Sequence, residues 1–315
     1  MKKRFSNSES SHMPDLSIII VNYNTYELTS ACIHSIIKLK HSVSFEIILI
    51  DNGSSELKSQ LFKESFPDIL FIKSNVNLGF SKAINKGLEV ASGATILLLN
   101  SDTIVQQNAI DQCYRFLNQN NEYGIATCRL NYADGTVQHN CQKFPAIQYE
   151  IILLFRLHKW LLKKQADRLL LGSFFDFKRR IDPDWVWGTF FMFKREILGN
   201  SKSLDDRYFM YAEDMLWCYQ AGKANFKVAF LPDVSVIHLM GKSSNGDNAE
   251  MKKAHEMHFI KTNYNLLHAT LLIICKAMNY ATLSIRDAKY LQLMKDTLKL
   301  FLTPTTKLIL QQDKL

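Results

Sequence analysis

The chain is 315 residues long, 47% hydrophobic and 22% charged, with a net charge of +8. This composition excludes a disordered chain, and the length suits one large α/β domain or one domain with a helical appendage. Six cysteines (Cys32, Cys113, Cys128, Cys141, Cys218 and Cys275) show no CxxC spacing. They read as buried free thiols of a reducing cytoplasm, ahead of disulfides or zinc ligands.

Residues 1–14 read as a flexible tail or tag. Basic Met1-Lys2-Lys3-Arg4 is followed by a Ser/Asn-rich stretch, not by the apolar core of a signal peptide. Isoleucine-rich Leu16–Val21 predicts a buried strand, and Tyr26–Leu39, apolar at helical spacing, predicts a helix. Phe45–Ile50 is a second buried strand, closed by the turn residues Asp51-Asn52-Gly53-Ser54. Ile69–Lys73 predicts a third strand, Phe80–Ala91 a helix and Ala94–Leu99 a fourth strand. This alternation predicts an α/β fold with a doubly wound, mostly parallel sheet. Ligands of such sheets bind beyond the carboxyl ends of the strands, where Asn22-Tyr23-Asn24, Asp51 and Asp102 stand.

After Gly124 the pattern changes. Ile125–Asn131 reads as a strand and Asp134-Gly135 as a hairpin-like turn. A basic amphipathic insert spans residues 141–184. Within it, residues 151–180 carry eight Lys and Arg against Asp167 and Asp176, a net +6, beside bulky side chains such as Phe155 and Trp160. That combination fits an anionic membrane surface, with help from helices around Leu266–Ile274, or a solvated helix packed on its own domain. Trp185–Phe193 predicts an aromatic strand, Asp214–Ala221 a helix and Lys227–Leu231 a strand, and two or three leucine-rich helices follow Ala249. No apolar run reaches the roughly 18–20 residues that span a bilayer. The expected organisation is a tail (1–14), a ligand-binding region (15–245) holding the insert, and C-terminal helices (246–315).

Several residues could carry chemistry. Asp102 ends the run Leu97-Leu98-Leu99-Asn100-Ser101, where a carboxylate can hold a divalent cation on a diphosphate, or cap a turn. Glu213-Asp214 offers a general base, or an acidic helix start favoured by the macrodipole. Asp51 can accept a hydrogen bond from a nucleotide base, or close an Asx-turn. Asn77-Leu78-Gly79-Phe80 precedes a helix whose N-terminus favours phosphate, although Asn and Gly also make ordinary caps. His238 offers a metal ligand or a phosphate donor. Gly241-Lys242-Ser243 is not a P-loop, because Val236 stands at the required first glycine. His255 and His258 read as ordinary helix residues.

Taken in order, Ile18-Ile19-Ile20-Val21-Asn22-Tyr23-Asn24, Asp51-Asn52-Gly53-Ser54, Asn77-Leu78-Gly79-Phe80, Asn100-Ser101-Asp102, Gly188-Thr189-Phe190-Phe191-Met192, Glu213-Asp214 and His238-Leu239-Met240-Gly241-Lys242-Ser243 form a set. This set resembles family 2 glycosyltransferases of the GT-A fold, specifically the rhamnosyltransferase-like branch. The resemblance covers about residues 16–245 and leaves the insert and the C-terminal helices uncovered. It implies an inverting transfer of a sugar from a nucleotide diphosphate donor, dTDP-L-rhamnose being common in the branch. The acceptor it implies is a glycan or lipid-linked glycan of the cell envelope, reached at the cytoplasmic face of the membrane.

By the same resemblance Asp51 binds the base, with Asn22, Asn24, Asn77, Gly79, Ser101 and Gly188 around the nucleotide sugar. Asp102 is the last acid of a DxD-type motif whose first position here is Asn100, and it shares Mg²⁺ or Mn²⁺ with His238. Asp214 is the base and Glu213 its supporting neighbour. Trp185 and Trp187 suit stacking on an acceptor sugar, or places in the core. No nucleic-acid partner is implied. The rivals are a non-catalytic nucleotide-sugar-binding protein, for which Asn100 is the hint, and a nucleotidyltransferase. The latter needs a glycine-rich basic loop after the first strand, which Asn22-Tyr23-Asn24-Thr25 does not supply.

Overall fold

The computed structural model describes residues 13–161, 163–239 and 249–309. Residues 1–12 of the expected tail, and Met240-Gly241-Lys242-Ser243, lie outside them. The strands are β1 (Leu16–Asn22), β2 (Phe45–Asn52), β3 (Leu70–Ser74), β4 (Thr95–Asn100), β5 (Thr103–Val105), β6 (Tyr123–Asn131), β7 (Cys141–Gln142), β8 (Trp185–Val186), β9 (Phe190–Lys194) and β10 (Lys227–His238). The α-helices are α1 (Tyr26–Ile37), α2 (Glu56–Ser65), α3 (Phe80–Val90), α4 (Ala109–Gln119), α5 (Ile147–Leu154), α6 (Lys163–Leu170), α7 (Glu213–Lys223), α8 (Ala249–Asn263), α9 (Leu266–Ser284), α10 (Lys289–Leu302) and α11 (Thr305–Ile309). Two compact units result. The first holds residues 1–141, 177–209 and 213–246, the second 142–176, 210–212 and 247–315.

The first unit is built on one sheet of eight strands, in the order β3-β2-β1-β4-β9-β6-β10-β5. β1 to β4 run parallel, as do β6 and β10, while β9 is inserted antiparallel between β4 and β6. The isoleucines of β1 suit this central place because helices cover both faces, so no residue of the strand needs to be polar until its end. Ile18 and Ile20 join the core with Cys32, Ile33 and Ile36 of α1, and Ile19 lies under Gly87 of α3. Each buried isoleucine contributes about 1.5–3 kcal/mol. The parallel register sets Asn22 beside Asp51 and Val21 beside Asn100. The polar ends of β1, β2 and β4 therefore finish level, and the site is built there.

Differences from the sequence reading have local causes. Trp185–Phe193 is two strands, because Gly188 turns its N–H out of the ladder toward the Asp214 carboxylate. β10 runs on to His238 past an irregularity between Leu231 and Ser235, where Pro232 has no N–H for the ladder. All six cysteines are free, and five of them are buried.

In the second unit α9 packs on α5 and α10, and α8 on α10 and α11. The expectation that no segment is long enough to span a bilayer is corrected here. α9 has the length and composition to cross a membrane. Thr270, Lys276 and Asn279 interrupt its apolar run in sequence, but not the apolarity of the helix as a whole.

Candidate active site

At the end of β1, Asn22 is fully buried and organises two loops. Its Nδ2 donates to Asp51 Oδ1 (2.9 Å) and Ser54 Oγ (3.0 Å), while its Oδ1 accepts from Thr25 and from Thr29 Oγ1 (2.8 Å). Ser59 donates to the other oxygen of Asp51. Asp51 is thus covered, with one donor on each oxygen. Asn24 stands exposed at the rim in a left-handed conformation (φ 55°), its N–H donating to Ser54 Oγ.

The Asn77–Gly79 loop is held by Asn52, which sequence reasoning did not single out from its motif. Asn52 Nδ2 donates to Asn77 Oδ1 (2.9 Å) and Gly79 O, and its Oδ1 accepts from Leu78 N. Gly79 caps α3 at φ 82°, ψ 174°. A Cβ there would lie 2.6 Å from Phe209 O, which accepts from Phe80 N. Only glycine admits both this backbone conformation and this approach.

At the end of β4, Ser101 and Asp102 are buried, with Ser101 Oγ 3.3 Å from Thr25 Oγ1. β10 delivers His238 opposite Thr103, and Leu239 N donates to Asp102 O. His238 Nε2 then sits 3.4 Å from Asp102 Oδ1. Buried Gln138 sets this geometry. Its Nε2 donates to His238 O (2.8 Å), which leaves its Oε1 to accept from His238 Nδ1 (2.7 Å). With Nδ1 donating, Nε2 is the nitrogen left facing Asp102 and free to bind an ion when unprotonated. Gln138 has no sequence signature; it follows a hairpin, and only the fold brings it to His238.

One strand away, Asn100 N donates to Thr189 O, and the next residue back, Gly188, donates its N–H to Asp214 Oδ2 (3.0 Å). Asp214 Oδ1 accepts from Met215 N (2.8 Å). The chain enters α7 through Tyr211 and Ala212, both in the left-handed region (φ 69° and 67°), a strained entry that fixes where the helix begins. Burial pushes the Asp214 carboxyl up to about 6, against the lowering effect of the two backbone donors. Glu213 is buried, and its Oε2 has no hydrogen-bond partner among the described residues. Burial and then the Asp214 charge raise it well above the ordinary carboxylate range. Trp187 packs partly against the core, and Trp185 is partly exposed on β8. His255 is a core residue whose Nδ1 donates to backbone carbonyls of Met210 and Tyr211.

A mostly parallel sheet whose strand ends gather carboxylates, amides and an imidazole around one rim places its ligand site there. The chain matches the model of glycosyl transferase family 2 over residues 17–200, and it belongs to that family. Over 233 residues it is 23% identical to the N-acetylglucosaminyl-diphospho-decaprenol L-rhamnosyltransferase of Mycobacterium tuberculosis, covering 66% of this chain and 71% of that protein. It is 26% identical to the low-salt glycan biosynthesis hexosyltransferase Agl10 of Haloferax volcanii, covering 72% and 67%. The fold is similar to the mannosyltransferase PcManGT of Pyrobaculum calidifontis solved with GDP-Man and Mn²⁺ (TM-score 0.55, 16% identity, 96% of this chain and 85% of that one). It is also similar to S. aureus TarS in complex with UDP-GlcNAc (TM-score 0.54, 14% identity, 85% and 73%). The fold is GT-A and the protein is a glycosyltransferase.

Proposed function

We propose that this chain transfers a sugar, with inversion, from a nucleoside diphosphate donor to a hydroxyl of a glycan or lipid-linked acceptor in cell-envelope polysaccharide synthesis. The single observation that carries the reading is Asp214, whose two carboxylate oxygens are aimed by Gly188 and Met215 N–H one strand from Asn100–Asp102. In the transfer, the acceptor oxygen attacks the anomeric carbon in line. The C1–O bond to the diphosphate breaks, the leaving group takes the electron pair, and the hydroxyl proton passes to Asp214. A carboxyl raised to about 6 is ionised at neutral pH and is a stronger base than an ordinary aspartate. Burial and the Asp214 charge both favour the neutral form of Glu213, which would add no competing charge.

Among the described residues, no three His, Cys, Asp or Glu side chains gather as a complete metal site. One carboxylate and one imidazole whose donor atoms lie 3.4 Å apart still fit an ion that takes its other ligands from a diphosphate. We assign that place to Asp102 and His238, where Mg²⁺ or Mn²⁺ would neutralise charge on the leaving group. Asn24, Asn77, Gly79, Ser101 and Gly188 form the donor rim. Asp51, held by Asn22 and Ser59 at the end of β2, is assigned to a base N–H. Trp185 and Trp187 border the acceptor side, and the catalytic region is residues 15–245. The named L-rhamnosyltransferase relative supports dTDP-L-rhamnose as donor and a lipid-linked acceptor met at the cytoplasmic membrane face.

A thermal-shift panel of nucleotide sugars with Mn²⁺, followed by nucleotide release with a lipid-linked acceptor, tests this. A donor at 100 times its Kd stabilises by about 2.7 kcal/mol. If no nucleotide sugar raises the melting temperature, the reading fails.

A further inference from the structure

We propose that the outer face of α9 docks on an anionic lipid bilayer. Leu267, Leu271, Ile274 and Met278 recur at steps of four and three, and all are exposed (70%, 43%, 46% and 50%). The opposite face, with Ala269, Leu272, Ile273 and Ala277, is buried in the unit. α9 is therefore apolar on both sides, which a helix facing water is not. Its one charged residue, Lys276, is tied to Glu256 at 2.5 Å. Further large apolar side chains of the same unit are exposed. Phe155 (64% exposed) and Trp160 (88%) follow α5, which packs on α9, and Arg156 and Lys159 lie beside them in sequence.

Charge decides the occupant. The second unit carries sixteen Lys and Arg against nine Asp and Glu, a net +7 out of the chain's +8. Of the nineteen large apolar side chains exposed among the described residues, fourteen are in this unit. A second copy of the chain would bring like charge to like charge. A bilayer with anionic headgroups matches both properties at once, with an aromatic side chain and basic neighbours suited to the headgroup level. The proposal rests on the reading that the acceptor is met at a membrane, and it gives that encounter a surface.

The test is flotation of the full chain with vesicles of phosphatidylcholine, alone or with about one-quarter phosphatidylglycerol, at low and high salt. Wild type floats with the anionic vesicles and is released by salt. Leu271→Gln/Ile274→Gln, melting like wild type, partitions roughly tenfold more weakly for each substituted side chain. Tryptophan emission gives a second readout in the unmutated α9. It shifts to the blue on anionic vesicles, and Trp160→Phe removes that shift. Absence of wild-type flotation overturns the proposal, as does flotation unaffected by the double variant. A dimer in solution that the double variant dissolves also overturns it, in favour of a second copy. Donor-induced thermal shift is read on the same samples without vesicles, so failure of docking and failure of the transfer reading are told apart.

Discussion

Asp214→Asn keeps the size of the side chain but removes the negative charge that accepts a proton. In the structure each carboxylate oxygen takes one backbone N–H, from Gly188 and from Met215. An amide presents one oxygen and one NH₂, so one of these donors loses its acceptor, at a cost of about 1–3 kcal/mol in stability. Asn also removes the buried charge whose desolvation raises the carboxyl to about 6, a gain of similar size, so the variant should melt near wild type and still bind donor. Transfer should fall by roughly 10²–10⁴ or more, because a base acts in the transition state. The wild-type pH profile carries the same signature. With the carboxyl raised to about 6, roughly 91% of it is ionised at pH 7 and roughly 9% at pH 5, so kcat/KM should drop about tenfold between them. Single-turnover release of nucleoside diphosphate across pH 5–8 measures both. The Asn variant should be flat where wild type slopes. Wild-type turnover in the variant, or the same slope, would refute the assignment of Asp214 as base.

Glu213 is buried with a raised pKa, so the native state holds its proton more tightly than the unfolded chain does. Its contribution to stability is full below the unfolded value and is lost as pH rises through the folded one. Glu213→Gln should therefore raise the melting temperature more at pH 8 than at pH 5 in a thermal scan, and equal gains would show that the group does not ionise on this path. Gln138→Leu leaves His238 Nδ1 without its acceptor and should weaken Mn²⁺ binding in the presence of nucleoside diphosphate by about 10–100-fold, read by the loss of free-Mn²⁺ resonance signal. Gly79→Ala places a Cβ against Phe209 O in a glycine-only backbone region and should cost roughly 3 kcal/mol or more. Denaturant unfolding measures it, and a near-neutral result would mean that the loop relaxes freely.

What the sequence made legible was whatever local pattern controls. Short apolar runs declared β1, β2 and β4, and the polar residue that ended each run marked the rim. The parallel register then set those ends level, with Asn22 beside Asp51 and Val21 beside Asn100, as expected of neighbours in a doubly wound sheet. Trp185–Phe193 was misread as one strand because alternation describes side chains, and the break is made by a backbone N–H that leaves the ladder for Asp214. α4 carries as clear an amphipathic period as α3, yet the sequence reading assigns no element to it, nor to α2 or the short β5. α9 was passed over as a candidate span because counting unbroken apolar residues ignores what a helix does with Thr270, Lys276 and Asn279.

Gln138 shows where local pattern stops. Nothing within ten residues of it in the sequence points to His238, a hundred positions away. Its role exists only because β6 and β10 pair in parallel, bringing the loop after one strand under the end of the other. Under the proposed assignment of an ion to Asp102 and His238, the same pairing explains why a DxD-type motif that begins with Asn100 need not be a decayed one. Asp102 is flanked by His238, and His238 is held in one orientation by two hydrogen bonds from a buried amide. A ligand pair fixed in advance loses less freedom on binding an ion than two mobile carboxylates do. If Asn100 marked a non-catalytic binding protein, nothing would be expected to keep Gln138, His238 and Asp102 in register. Restoring Asp at position 100 should therefore change Mn²⁺ affinity far less than removing Gln138 does.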